Sequence, residues 1–131
     1  MSTLREIMAE KKAQRPLRCV ELDHHPVSAV TFFQWQGKEL TLPWSRIEAL
    51  EFSNEDESER VELFFPNHHI VIVGERFHFV IDELRNFQVS CLRNLPDSHR
   101  VTLGPAQTFI AQLDVNVLTH PKPRLSPDRL L

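Results

Sequence analysis

Histidine is the residue type in this chain with the most potential for chemistry: there are seven. His24-His25 and His68-His69 are adjacent pairs, and both fall where turns are expected. Neighbouring residues on a strand point to opposite faces, so one histidine from each pair could converge with His78, His99 or Cys19 on a metal ion. The spacings argue against this. The chain holds no His-Glu-x-x-His, no Cys-x-x-Cys and no His-x-His, the patterns that place two ligands on one side of an element. His24, His25, His68 and His69 are therefore the candidate ligands of a site that is not expected to exist. Their plainer role is at the surface or in satisfied turns.

Other chemistries fare no better. Ser45 and Ser90 lack a Gly-x-Ser-x-Gly setting. Cys91 sits in an apolar stretch, where a thiol behaves as a small inert hydrophobe. Gly37, Gly74 and Gly104 are too far apart to form a phosphate-cradling loop. Asp23 followed by Gln36-Gly37-Lys38 has the acid-then-lysine outline of some nuclease sites, but the match is too short to carry a prediction. The acidic run Asn54–Glu59 lacks the glycine and terminal glutamate pattern of a calcium loop and reads as a solvated hairpin tip. The expectation is no enzyme and no cofactor.

Composition sets outer bounds. A chain of 131 residues fits one domain and can bury a core without metals or crosslinks. Net charge is −3 and the pI is about 6.1, which does not favour nucleic acid as a partner. Basic residues gather at the ends: Arg5, Lys11, Lys12, Arg15 and Arg18 at one, Lys122, Arg124 and Arg129 at the other. The first group has no aromatics interleaved with it, as a base-stacking surface would want. Only two cysteines occur, Cys19 and Cys91, and no signal peptide precedes them. That pattern suits a cytoplasm with reduced thiols. No apolar stretch approaches membrane-spanning length.

The elements that would position these residues are clearest in Ile70–Leu92. Ile70, Val71, Ile72 and Val73 form an unbroken β-branched run, suited to a strand covered on both faces. Gly74 reads as a break. Phe77, Val80, Ile81, Leu84 and Phe87 then recur at helical spacing, with Asn86 as a stop. Phe79 lies off that stripe, so Phe77–Ile81 could instead extend the strand. Val89 and Cys91 restart the strand habit. Upstream, Arg18–Leu22, Val27–Trp35, Lys38–Leu42, Ile47–Phe52 and Val61–Phe65 are strand candidates. Gln36-Gly37 reads as a tight hairpin turn, with Leu40 and Leu42 on one face and Glu39 and Thr41 on the other. Downstream, Val101–Leu103 reads as a short strand. Thr108–Leu118 is the last, with Phe109, Ala111, Leu113, Val115 and Val117 alternating along one face. The fold class expected is α+β: a mostly antiparallel meander or roll of six or more strands with one main helix packed on one face. Residues 1–15 form a basic segment with a Thr3-Leu4-Arg5-Glu6 capping-box pattern that could start a short helix. Residues 16–119 form the single domain, and 120–131 a proline-rich tail.

Leu-Pro-Trp-Ser-Arg-Ile at Leu42–Ile47, Glu59–Phe65, and the run from His68 to Leu92 together resemble small bacterial proteins of unknown function. In these, a Leu-Pro-aromatic corner leads to a strand pair and then to strand, glycine, helix and strand. The resemblance covers roughly residues 30–93. It implies shared core positions and brings no catalytic residue or cofactor. The strand-rich order also resembles pleckstrin-homology-like barrels, although those end on their helix and here strands follow it.

Apolar residues fall on both faces of several strands, and one helix covers only one side of a sheet. Either the sheet closes on itself or a second subunit covers it. The leading expectation is a cytoplasmic, non-enzymatic protein–protein interaction module that self-associates as a dimer, with Trp35, Trp44, Phe109, Leu113 and Val115 as candidate contacts and any other protein partner unknown. Two further classes stand beside it. One is a metal- or ligand-dependent regulator using the histidine-bearing turns. The other is a weak nucleic-acid binder using the basic tails.

Overall fold

The computed structural model describes residues 17–55 and 57–118. The basic segment 1–15 and the tail 120–131 lie outside these residues. Eight strands, β1 (Val20–Leu22), β2 (Ala29–Phe33), β3 (Glu39–Pro43), β4 (Ala49–Glu55), β5 (Ser58–Phe65), β6 (His68–Glu75), β7 (Val89–Arg93) and β8 (Phe109–Val117), make up about half of it. The main helix is α1 (Ile81–Arg85), and a single turn, α2 (Arg100–Leu103), lies before β8. The fold is α+β and mostly antiparallel.

The strands divide into two sheets, ordered β1-β7-β2-β3 and β4-β5-β6-β8. The second is antiparallel throughout. The first contains one parallel pair, β2 with β7, joining Phe32 to Leu92. Alternation along each strand sends one side chain in two toward the other sheet. Val30 and Phe32 point inward from the first sheet; Val61, Leu63, Phe65, Ile70, Ile72 and Leu113 point inward from the second, and all are buried. Phe32 meets Phe65 edge-on at 6.3 Å between ring centres. The apolar faces thus cover each other, so the first of the two ways to hide them is the one realised, and the excess of apolar strand surface does not by itself demand a partner.

β6 is central to its sheet, between β5 and β8. Its β-branched run suits that place: Ile70 and Ile72 are fully buried inward, and Val71 on the outer face is 7% exposed. Gly74 is not a break. The strand continues through it to Glu75, and a bulge there shifts the register against β8 between Val73 and Gly74. A Cβ at Gly74 would be driven into Phe109 O and the backbone beside it, so only glycine lets the two strands close. The same bulge turns Ile110 inward in place of Ala111, which is exposed.

The helical stripe is real, but its backbone is not one helix. Phe77, Val80 and Leu84 are buried as the spacing requires. They lie on a 3-10 turn (Phe77–Phe79) followed by α1. Arg76 opens the segment at φ 62°, where Thr108 Oγ1 donates to its carbonyl at 2.7 Å and its own Nε donates to Gln107 O at 2.7 Å. The left-handed stop falls on Phe87 (φ 59°) rather than Asn86. The Phe87 ring stacks on Trp44 at 5.3 Å and its carbonyl accepts from Val27 N at 2.8 Å. Tertiary contacts decide the position that local preference would give to asparagine. Val101–Leu103 is also not a strand. Pro96 opens a 3-10 turn at Asp97–His99 that runs straight into α2, and Gly104 at φ 80° ends it.

Candidate functional site

Unpaired strand edges are where a sheet has backbone donors and acceptors left over. β3 is the outer strand of its sheet. The hairpin that forms it turns over Trp35-Gln36-Gly37, with Gln34 N donating to Lys38 O at 3.0 Å. Gln36, not Gly37, takes the positive φ of 54°. At the far end Trp44 N donates to Ser28 O at 2.9 Å. In an antiparallel pair, residues facing the partner strand alternate with residues facing away. The register of Phe32 with Leu40 and Val30 with Leu42 therefore turns the amides of Leu40 and Leu42 toward β2. The amides of Glu39 and Thr41 and the carbonyls of Glu39, Thr41 and Pro43 point off the sheet. Among the described residues no strand pairs with that edge.

The far end of this edge is anchored by Trp44. Its ring is 2% exposed, and its Nε1 donates to Val89 O at 2.9 Å. A single 3-10 turn, Trp44–Arg46, then carries the chain to the other sheet.

Two hollows lie on the inner side of β3. Leu40 opens into one of about 340 Å³, walled by Val115, Val117 and His68 with Lys38 at its rim. Leu42 opens into a smaller one of about 150 Å³, walled by Phe65, Pro66 and Asn67, with Arg46 at its rim and His68 shared. Leu40 and Leu42 are two residues apart, about 7 Å along a strand. The inward side chains of a strand laid against β3 would repeat at the same interval and fall into these two hollows. Main-chain bonds along an edge, with pockets for alternate side chains, are what recognition by strand addition needs.

Comparison with protein-family models, curated proteins and solved structures found no match.

The candidate residues fall in different places. Trp44, Phe109 and Leu113 are buried within the chain, so their apolar area is already covered. Phe109 lies under Arg100, whose guanidinium sits 4.4 Å from the ring centre. Trp35 remains 40% exposed, beside His99 at 5.5 Å between ring centres. Val115 is partly buried and lines the larger hollow. His24 and His25 are exposed in the turn after β1. His68 faces the hollows, and the adjacent His69 points to the opposite face of the sheet. There His69 Nε2 lies 2.9 Å from Glu62 Oε1 and its ring stacks on Phe64 at 4.6 Å. The histidine pairs do not converge, and no group of three His, Cys, Asp or Glu among the described residues could hold a metal ion.

Both thiols are free and buried. Burial pushes the Cys91 thiol up to about 12, against the pull of Arg93. The Cys19 thiol is raised for the same reason, and it accepts a hydrogen bond from Ile110 N at 3.2 Å. Neither is a nucleophile at neutral pH. Among the described residues no helix is long and apolar enough to cross a membrane.

Sequence reasoning placed Leu40 and Leu42 on one face correctly but did not mark β3 as the site. The available signal was a short alternating strand bounded by a hairpin turn and a Pro-Trp corner.

Proposed function

We propose that this chain is a non-enzymatic protein-interaction module that takes up an extended segment of protein along β3, adding a strand to its first sheet. One observation carries the reading: an unpaired edge with two hollows at two-residue spacing on its inner side. Backbone groups of Glu39, Thr41 and Pro43 supply affinity, and the hollows beside Leu40 and Leu42 select apolar side chains at alternate positions. The two free, buried thiols suit a reducing cytoplasm.

A synthetic peptide of the sequence Lys38–Trp44 serves as the model strand. Titrated into the isotopically labelled chain, it is expected to shift the amide resonances of Glu39 and Thr41 and the side-chain signals of Leu40, His68 and Val115. Amide exchange at Glu39 and Thr41 should slow in step. Shifts confined to another surface, or none with the peptide in large excess, would overturn the reading.

A further inference from the structure

We infer that the segment taken up by β3 is the β3 of a second copy of this chain, paired antiparallel about a two-fold axis at Thr41. This rests on the strand-accepting reading of β3 and names its occupant. The sequence Glu39-Leu40-Thr41-Leu42-Pro43 reads almost the same in both directions about its centre. With Thr41 opposite Thr41, Leu40 of each copy faces Leu42 of the other, and those leucines fall into the hollows.

Hydrogen bonds and the pairing of leucines together select this register. The outward edge of one copy has two amides, Glu39 and Thr41, and three carbonyls, because Pro43 has no N–H. Pairing about Thr41 lets each Thr41 amide donate to the other Thr41 carbonyl. Each Glu39 amide donates to the other Pro43 carbonyl. Every outward donor is matched, and the Glu39 carbonyl, which faces the N–H-less Pro43 of the other copy, is left to water. A two-residue slip toward Trp44 leaves each Glu39 amide without an acceptor on the strand, and a slip toward Lys38 keeps both donors matched but sets Leu40 against Leu40 and each Leu42 against Lys38.

The charges on β3 suit this pairing. β3 begins with the acidic Glu39, and the turn just past its end carries the basic Arg46. Both are exposed, and among the described residues neither has an ion-pair partner. Antiparallel pairing sets the acidic start of each β3 beside the basic end of the other. β4 is another edge, and its middle carries the exposed acid Glu51, with Glu48 just before it. Two copies joined there would set carboxylate against carboxylate, the arrangement that guards an edge.

The experiment uses the full chain. Thr41→Cys places a thiol on the exposed outer face at the two-fold axis, and Glu51→Cys places one on the exposed outer face of β4. In the native chain both thiols are buried and give little background. Under mild oxidation Thr41→Cys is expected to form a covalent dimer and Glu51→Cys is not. By analytical ultracentrifugation, Glu39→Lys should raise the dimer dissociation constant about tenfold, and Glu39→Lys with Arg46→Glu should restore it. Failure of the double charge reversal to restore dimerisation would overturn the proposed register. Crosslinking through Glu51→Cys alone would move the contact to β4 and overturn the inference. A chain that stays monomeric to about 100 µM, where even micromolar association would be evident, yet still binds the Lys38–Trp44 peptide overturns the second copy and leaves strand uptake standing. A monomer that also ignores the peptide overturns both. Circular dichroism of each variant separates loss of pairing from loss of fold.

Discussion

The two ends of this sandwich treat a bare strand edge in opposite ways. β8 is the outer strand of the second sheet, yet its edge is closed by groups from the first. Ile110 N donates to Cys19 Sγ at 3.2 Å, Ile110 O accepts from Leu95 N at 3.1 Å, and Gln34 Nε2 donates to Leu113 O at 3.1 Å. β3 has no such cover among the described residues, and hollows lie beneath it. Ile110 is buried, so its backbone groups need protein partners, whereas Glu39 and Thr41 are exposed and water can serve theirs. The chain can thus seal an edge with one thiol, one amide side chain and one loop, and among the described residues it does not do so at β3.

Breaking the anchor of the open edge should have the largest effect. Trp44→Ala removes a buried ring and leaves Val89 O without its indole donor. The expected loss is about 4 kcal/mol in urea unfolding, with faster amide exchange through β3. A loss under about 1 kcal/mol would mean that β3 is held some other way.

Breaking the sealed edge comes next. Gly74→Ala forces a methyl group into the backbone of Phe109 and Ile110, and the strand must give, at about 3 kcal/mol. The bulge sets the inward turn of Ile110, so nuclear magnetic resonance should show its amide leaving Cys19. Cys19→Ala is gentler. It leaves Ile110 N without an acceptor in a buried setting, at about 2 kcal/mol. Cys19→Ser, which keeps an acceptor, should lose less, and equal losses would assign the effect to packing alone.

How much of this was legible beforehand depends on the range of the contacts. Strand faces follow from alternation, and Leu40, Leu42, Val61, Leu63 and Phe65 are where the pattern puts them. The inward stripe of Phe77, Val80 and Leu84 was legible too. Its backbone was not, because the positive φ at Arg76 and Phe87 is held by Gln107, Thr108, Val27 and Trp44, which are remote in sequence. The division into two sheets hinges on the parallel pairing of Phe32 with Leu92, and nothing local marks it. Trp44 read as a contact for a partner because the chain has more apolar surface than one helix can cover, whereas Val89 O and the Phe87 ring draw it inward. An open edge is harder still, since it depends on which strands fail to arrive.

The smallest expected effect on stability is the most informative about function. Thr41→Pro removes an amide that points off the sheet and donates to nothing within the described fold. Proline is tolerated at such edge positions, and Leu40 before it is already extended, as a residue preceding proline must be. The Thr31–Thr41 hydroxyl contact of 2.8 Å is lost, but it is exposed, and the cost should be about 1 kcal/mol or less. Strand uptake should nevertheless be lost, because the missing donor lies at the middle of the edge, where no other amide can replace it. The corresponding change on the sealed side, Cys19→Ala, should show the reverse: reduced stability with peptide uptake at β3 intact. If Thr41→Pro binds the Lys38–Trp44 peptide as well as the native chain does, the bare edge of β3 has no role in recognition.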